Sequence, residues 1–385
     1  MAQYFNLIIK MANQDDLLND IDNTDIYFST KLNSPEQCIN YFGNVNSQFI
    51  IFNQNIRSVQ KNFDAFVVLL TRLTFLPDII ILTECRLNAS TPTVQLSGYK
   101  CHYSRRYLNQ NDGLVILYKS ELSVTIDEPH FNEANCLMIR VGPNLTICAI
   151  YRSPSFHNIN NFCSSLENVM QSCNTTTCVL TGDINIDIGL ETRDSRASTY
   201  LDTTGHYGLY PGHQFPTHDR TCLDHALIKS QKQVKVVVCE TGLTDHDSVL
   251  ISIDNDNAEK IVTSPVNHNQ RIKIDFPNLL LEIASIDWNL LYKSSDVTKA
   301  TDFFITAIGN SIKNHCQSII VQNSKGIKKP WMTNSLIKCI RKRDALHLET
   351  KKTINKNNIT LQLKYKTYRN YCNNLLQNLK DAHER

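Results

Sequence analysis

Long apolar runs are missing from this sequence of 385 residues. The most apolar stretches, AFVVLL and DIIIL, have the length of core elements and fall well short of the ~20 residues that a helix needs to cross a bilayer. The apolar stretch within MAQYFNLIIKMANQDD is too short and too soon interrupted to be a signal peptide. We therefore expect no membrane partner, no secretion, and a location in the nucleus or the cytoplasm.

A disulfide framework is missing as well. The chain has 13 Cys, an odd number, with no C-x-x-C pair and no regular spacing. Such a pattern is typical of reduced intracellular thiols, so we expect no disulfide partner.

A compact zinc motif is also absent, although one segment contains suitable residue types. The segment GHYGLYPGHQFPTHDRTCLDH includes His206, His213, His218, Cys222 and His225. Their spacing fits no compact zinc motif, and a polar loop that lines a cleft is the better interpretation.

The chain has little net charge, +2 in total, but the charge is unevenly spread. The segment from Gln322 to Arg385 contains 15 Lys and Arg against 4 Asp and Glu, so the rest of the chain is acidic. A basic tail is typical of proteins that bind nucleic acid, but the solvated face of helices explains it equally well.

Hydropathy patterning predicts four segments along the chain. We expect a weakly structured polar leader (1–47), a domain of short strands with few helices (48–254), a polar linker (255–274) and a basic helical extension (275–385). The strand-rich part predicts an α/β fold in which two packed sheets are flanked by helices.

Individual elements of this pattern are clear. QFIIFNQN (48–55) and PDIIILTE (77–84) predict buried strands on either side of a helix over 61–74. In the extension, one helix is expected to open at Pro330 and another at about Leu361, where apolar residues recur every three or four positions.

Polar side chains stand at the ends of several of these strands. Strands end at or just before Asn55, Glu84, Tyr151, Asp183 and Asn185, and others begin at or just after Asp224, Asp245 and His246. If the sheets bring these ends to one rim, a cleft there holds carboxylates, amides, a Tyr and a His. Oxygen-rich sites of this kind suit Mg²⁺ and phosphate chemistry.

Hydrolysis of a phosphodiester needs a base for the attacking water and donors for the developing charge, and these groups could supply them. Glu84 would hold the metal, Asp183 would activate water and Asn185 would position it. His246, oriented by Asp224, would bind a phosphate oxygen.

Each residue alone also has a simpler explanation. Gly182 and Asp183 are common turn residues, Glu84 could face water, and Tyr151 could be a core-edge aromatic. Their shared position at strand ends favours a common site.

Six motifs in order carry a family resemblance: FNQNIRS, LTECRL, IYRSP, TGDINID, TCLDHALI and LTDHDSVLI. Over residues 48–254 the chain resembles the endonuclease/exonuclease/phosphatase superfamily, and within it the apurinic-type endonuclease of LINE (non-LTR, jockey-like) retrotransposons. The resemblance implies a four-layer α/β sandwich, Mg²⁺ with Mn²⁺ as an alternative, and DNA nicking that leaves a 3′-hydroxyl.

The resemblance also carries over residue roles. Asn55 and Asp245 join Glu84 as expected metal residues, Tyr151 is expected to contact phosphate, and Thr217 is a candidate for DNA contact. The departures, Ile184 within GDIN and Thr244 before Asp245, keep the reactive groups.

Residues after 275, especially PWMTNSLIKCIRKRD, resemble the segment that such elements carry before their reverse transcriptase. The polymerase is absent, so the chain is expected to correspond to the front part of a longer polyprotein. Lys328, Lys329, Arg341 and Arg343 are candidate contacts to DNA, or to element RNA through the basic helices.

Two alternatives remain open at this point. The chain could be a non-catalytic nucleic-acid-binding remnant, in which tyrosines of the last helix stack on bases rather than pack within a helical hairpin. It could also be another phosphoesterase of the same superfamily, since one fold serves several substrates.

Overall fold

The computed structural model describes residues 27–254 except 44, 74, 107, 192 and 193; residues 270–320 except 294; and residues 329, 331–352, 355 and 358–384. The contacts divide the chain into two compact units, Met1–Ile261 with Gly326–Arg385, and Val262–Lys325. Among the described residues, no helix combines the length and the apolar character needed to span a bilayer.

The first unit contains two β-sheets. The larger has the order β1-β12-β13-β2-β3-β5-β4 and comprises β1 (Tyr27–Leu32), β2 (Gln48–Asn55), β3 (Ile79–Thr83), β4 (Tyr99–Tyr103), β5 (Val115–Lys119), β12 (Val234–Cys239) and β13 (Ser248–Asp254). The smaller has the order β10-β11-β9-β8-β7-β6 and comprises β6 (Val124–Asp127), β7 (Asn135–Val141), β8 (Leu145–Tyr151), β9 (Thr177–Asp183), β10 (Tyr210–Pro211) and β11 (Asp224–Lys229).

Helices cover the outer faces of both sheets. They are α1 (Cys38–Phe42), α2 (Val59–Arg72), α3 (Ile159–Gln171) and α4 (Ser195–His206). Polar side chains cap the N-termini of three of these helices. Ser58, Asn158 and Asp194 each accept a hydrogen bond from a backbone amide in the first turn.

Strand periodicity separates three cores. In β2, Ile51 belongs to the core between the two sheets, whereas Ile50 and Phe52 belong to the core under α2, because successive side chains of a strand point to opposite faces. A third core, with Phe162 and Tyr200, lies between the smaller sheet and α3 with α4. The layers are helix, sheet, sheet and helix, which confirms the predicted four-layer α/β sandwich.

The prediction of a weakly structured leader is wrong for residues 27–47. β1 pairs in parallel with β12 at the edge of the larger sheet, and Cys38 and Phe42 of α1 are buried in the core under α2. The sequence of β1, YFSTKL, has too few apolar residues to predict a strand. Backbone hydrogen bonds to β12, rather than burial of side chains, hold this strand at the edge of the sheet. Residues 1–26 lie outside the described part.

Two further helices of the first unit are α8 (Asn334–Lys351) and α9 (Ile359–Glu384). Before and within α8, Trp331, Leu336 and Ile340 are buried in the same core as α2. Helix α8 begins later than predicted, because the Thr333 side chain accepts a hydrogen bond from the Leu336 amide at 3.1 Å. Pro330 lies outside the described residues.

The tyrosines of α9 contribute to packing. The Tyr365 ring stacks on the His347 ring at 4.8 Å between centroids, and Tyr368 lies 5.9 Å from Tyr371 and beneath the Lys342 ammonium. The hairpin interpretation therefore holds for Tyr365 and Tyr368, whereas the Tyr371 side chain is exposed.

The second unit is small. It contains an antiparallel pair, β14 (Gln270–Ile274) and β15 (Cys316–Ile320), with α5 (Phe276–Ser285), α6 (Asn289–Tyr292) and α7 (Val297–Asn314). The Trp288 ring packs on the rings of Phe303 and Phe304. The predicted linker is thus wrong at residues 270–274, which form β14; residues 255–269 lie outside the described part.

The extension predicted over 275–385 is likewise divided. Its first part belongs to the second unit and residues from Gly326 onward belong to the first. Because α8 shares the core under α2, the basic tail is structurally part of the sandwich rather than an appended arm.

Candidate active site

Strand topology brings the polar strand ends to one rim. β2 runs parallel to β3, and β8 runs parallel to β9, so the carboxyl ends of each pair lie side by side. β11 is antiparallel to β9 and places Asp224 opposite Asp183. β13 is antiparallel to β2, so the loop that precedes it, with Asp245 and His246, reaches the same rim.

The backbone at this rim is unusual. Five non-glycine residues have positive φ there: Arg57 (47°), Ser58 (99°), Glu84 (49°), Arg86 (53°) and Asn185 (53°). Such conformations are uncommon for residues with a side chain and concentrate at functional sites. The local geometry is therefore maintained against its own conformational preference.

Asn55 joins two carboxylates at the centre of the site. Its side chain is fully buried, and its Nδ2 donates to Glu84 Oε2 at 3.1 Å and to Asp183 Oδ2 at 2.7 Å. Its Oδ1 accepts from the Arg57 amide at 3.0 Å. In this arrangement Asn55 positions the carboxylates, and ligation of a metal by its oxygen stays a prediction.

Asp224 and His246 form a buried ion pair. His246 Nδ1 lies 2.7 Å from Asp224 Oδ2. Burial opposes protonation of the imidazole, but the charge and hydrogen bond of Asp224, with the nearby Asp183 and Asp245, raise the pKa of His246 to about 10. The pair thus places a cationic imidazole at the rim at neutral pH.

Asp183 is also buried, but its environment favours the neutral form, whereas that of His246 favours the charged form. Burial, together with the neighbouring charge of Asp224, raises the pKa of Asp183 to about 7, although His246 and Asn55 act against the shift. The Asn185 amide donates to Asp183 Oδ1 at 3.3 Å, and Asn185 Nδ2 donates to the Arg152 carbonyl at 2.8 Å. A carboxyl with a pKa near neutrality can accept a proton during a reaction.

Tyr151 lies beside Asp183 in the β8–β9 register. Its side chain is buried, and burial together with the charges of Asp183 and Glu84 raises the pKa of its phenol. The phenol therefore stays protonated and can donate a hydrogen bond.

Two cleft residues were not assigned to this site from the sequence, and one of them, His218, was considered only as a zinc ligand. Arg57 Nη1 lies 2.6 Å from Asp245 Oδ2, and its Nε lies 3.8 Å from Glu84 Oε2. The His218 ring lies 4.7 Å from the His246 ring, and its Nε2 lies 3.3 Å from Asp245 Oδ2. Both stand in segments already noted, FNQNIRS and PTHDR, but loop conformation rather than strand periodicity brings them to the rim.

Thr217 is not placed to contact DNA. Its side chain is 1% exposed, and its hydroxyl accepts hydrogen bonds from the amides of Leu223 and Asp224 at 3.1 and 3.0 Å. Its structural role is to fix the backbone at Asp224. Arg152 of the IYRSP motif is also buried, with its guanidinium over the Phe162 ring.

The described basic candidates of the C-terminal segment are occupied by ion pairs. Lys329 Nζ lies 3.0 Å from Asp64, Arg341 Nε lies 3.0 Å from Glu36, and Arg343, only 6% exposed, is paired with Asp344. The pairs of Lys329 and Arg341 hold α8 and the segment before it against the sandwich, and contact of these residues with nucleic acid stays a prediction. Lys328 lies outside the described residues.

The histidine-rich segment does not form the zinc cluster considered above. His225 Nε2 contacts the carbonyls of Ile186 and Cys222, and the buried His213 lies 4.0 Å from the Cys222 thiol. Among the described residues, the His, Cys, Asp and Glu groups close enough to share an ion are His218, Asp245 and His246, and Asp183, Asp224 and His246.

The donors at the rim fit a divalent metal ion. Carboxylate and amide oxygens predominate, and these are the ligands preferred by Mg²⁺ and Mn²⁺. Asp224 Oδ1 is buried without a hydrogen-bond partner, so an unused acceptor stands beside Asp183. Asp245 belongs to one of the two groups close enough to share an ion, and that Glu84 and Asn55 join it in holding the metal stays a prediction.

Comparison with known proteins gives structural likeness alone. No family model and no curated protein matches the chain. The catalytic domain of Xenopus laevis APE2 is 13% identical over 54% of this chain and 92% of its own, with a TM-score of 0.41. A functionally unknown conserved protein from Enterococcus faecalis is 12% identical over 53% and 99%, with a TM-score of 0.40.

A third solved structure is a beta toxin from Staphylococcus aureus. It is 12% identical over 53% of this chain and 99% of its own, with a TM-score of 0.36. At these values the fold rests on the layers and strand order of the chain itself.

Proposed function

We propose that this protein is a divalent-metal-dependent DNA endonuclease that nicks one strand by phosphodiester hydrolysis and leaves a 3′-hydroxyl. The proposal extends the motif resemblance to LINE-type endonucleases, in which such a nick primes integration. The observation that carries it is the rim itself. There a buried carboxyl with a pKa of about 7 lies beside an Asp224–His246 ion pair and a Glu84–Asn55 pair.

Asp183 is proposed as the base. Its ionised form takes a proton from water as the water oxygen attacks phosphorus. Asn185, whose backbone amide donates to Asp183 Oδ1, is proposed to orient the water. The bond from phosphorus to the 3′-oxygen breaks, and this oxygen takes up a proton from solvent to leave as the 3′-hydroxyl, while Asp183 returns its proton to solvent.

Charge on the phosphate is proposed to be balanced by donors. Protonated His246, held by Asp224, and the phenol of Tyr151 donate to the phosphate oxygens as negative charge develops on them. A metal ion held by Glu84, with Asn55 and Asp245, would act as a Lewis acid and template.

The test is nicking of supercoiled plasmid by the full chain. We expect open circles with Mg²⁺ or Mn²⁺, none with EDTA, and a loss of about 10³-fold or more in Asp183→Asn, a range typical for removal of a general base together with its charge. Extension of the nick by a DNA polymerase checks for the 3′-hydroxyl.

Asp202→Asn is the matched control, because Asp202 is an exposed carboxylate on α4. It should nick like the wild type. No nicking by a well-folded wild type would contradict the proposal, and RNA and lipid phosphodiesters would then test for another phosphoesterase. A binding-only remnant has less support, since Lys329, Arg341 and Arg343 are held in ion pairs.

A further inference from the structure

Arg57 occupies a particular place in the cleft. It follows β2 directly, its backbone φ is +47°, and its side chain is 47% exposed. It is therefore fixed at its backbone while its guanidinium remains accessible to solvent and to ligands.

The guanidinium of Arg57 bridges two carboxylates from separate loops. Nη1 lies 2.6 Å from Asp245 Oδ2, and Nε lies 3.8 Å from Glu84 Oε2. Arg86 also approaches Glu84, at 3.0 Å from Oε1, but among the described ion pairs it contacts this carboxylate only. Arg57 is thus distinguished by joining the two carboxylates that the proposed function assigns to the metal.

A guanidinium and a metal ion cannot both use the same oxygen lone pairs. Asp245 Oδ2 already has His218 Nε2 at 3.3 Å, and Glu84 Oε2 has Asn55 Nδ2 at 3.1 Å. Ligation of an ion through these same oxygens, Asp245 Oδ2 and Glu84 Oε2, therefore competes with Arg57 for them. A released guanidinium beside a metal site has five N–H donors suited to a phosphate group.

We propose that Arg57 is a displaceable counter-cation of this site. It neutralises Glu84 and Asp245 until a divalent ion takes its place, and it then binds a non-bridging oxygen of the substrate phosphodiester. This inference rests on the proposed function, because it takes the ion and the phosphodiester from there.

Metal binding measured by calorimetry on the full chain tests the competition without any turnover. With Mn²⁺ as the probe, we expect Arg57→Gln to bind about fivefold more tightly than the wild type, the upper end of what loss of one partly exposed ion pair supplies. Arg57→Met, a second neutral variant, should do the same.

Two controls separate charge from structure. Arg140→Gln removes an arginine that pairs with Asp127 elsewhere on the smaller sheet and should leave metal affinity unchanged. Arg57→Lys keeps the charge and should stay within about twofold of the wild type. Unchanged or weaker binding in both neutral variants, or equal tightening in Arg57→Lys, would overturn the proposal.

Substrate binding supplies the second readout. At saturating Mn²⁺, Arg57→Gln should raise the DNA concentration for half-maximal nicking about tenfold, a loss typical of one charge-assisted phosphate contact, while Arg140→Gln does not. Unchanged DNA dependence would overturn the phosphate-binding part.

The two proposals fail in different ways. Tighter metal binding in Arg57→Gln with no hydrolysis by the wild type would sink the endonuclease but keep the counter-cation. Nicking by the wild type with no gain in metal affinity in Arg57→Gln would keep the endonuclease and overturn the counter-cation.

Discussion

Asp183 is a site residue whose ionisation lowers the stability of the folded protein. Its pKa rises from 3.8 to about 7 because it is buried beside Asp224. The folded protein therefore holds this proton more tightly than the unfolded chain does. The stabilisation is complete below about pH 3.8 and is lost as the pH rises through about 7.

We accordingly predict that Asp183→Asn raises the free energy of unfolding above pH 7. The expected gain is on the order of 2 to 4 kcal/mol, since one pKa unit corresponds to about 1.4 kcal/mol. Urea unfolding of both proteins at pH 5 and pH 8 in EDTA measures it. A variant that is no more stable than the wild type at pH 8 would contradict the raised pKa of Asp183.

Sequence reasoning located most of this site for an identifiable reason. Asn55, Glu84, Asp183 and Asp224 stand where an apolar strand stops or starts, and strand periodicity reveals such positions. Arg57 was not assigned a role because its position depends on a left-handed backbone that no hydropathy pattern encodes.

The element scale is dominated by the contact between α2 and α8. Arg72 of α2 is buried and pairs with both Glu36 and Asp344. Arg343 pairs with the same Asp344, and Arg341 with the same Glu36. One guanidinium thus connects the segment before α1, the helix α2 and the C-terminal helix α8.

Arg72→Met should cost about 2 to 3 kcal/mol of unfolding free energy, because the buried Asp344 and the half-buried Glu36 each lose a charge-assisted hydrogen bond. These carboxylates keep Arg343 and Arg341, respectively, as ion-pair partners. Arg140→Met, which removes an exposed pair with Asp127, should cost at most about 1 kcal/mol. Chemical denaturation at pH 7 compares them, and equal costs would show that the network adds nothing.

At this scale the sequence was least informative where a segment carries few apolar residues. Charge predicted a basic tail but could not show that Arg341 has an acidic partner, because Glu36 is about 300 positions away in the chain. The boundaries of α2, predicted at 61–74 and found at Val59–Arg72, agree within two residues because this helix has a continuous apolar face.

At the scale of the whole molecule, the sandwich extends beyond residues 48–254, the segment that carries the motif resemblance. The core under α2 contains Cys38 and Phe42 from before residue 48 and Trp331, Leu336 and Ile340 from after residue 254. A fragment of residues 48–254 therefore exposes one face of this core and loses the β1 partner of β12.

We predict that fragment 48–254 unfolds at a much lower temperature than the full chain or fails to unfold cooperatively. Burial of each large apolar side chain contributes about 1.5 to 3 kcal/mol, so the missing ones approach the whole stability of a typical domain. Thermal unfolding followed by circular dichroism measures the difference.

A pair of leucines provides the control for this prediction. Leu336→Ala on α8 should cost about 2 to 5 kcal/mol in the full chain, whereas Leu363→Ala on α9, which is 58% exposed, should change little. Equal melting temperatures for fragment and full chain would mean that the C-terminal helices are dispensable.

Gly182, in the middle of the TGD motif, has a φ of +142° and lies opposite Ile150 in the parallel pair β8–β9. A methyl group there would overlap the Ile150 carbonyl, which is backbone and cannot turn aside. A descendant gene with alanine at this position would retain every reactive side chain and still lose the alignment of Tyr151 with Asp183. A list of the site's side chains would not reveal this loss, because the residue that sets their alignment has no side chain.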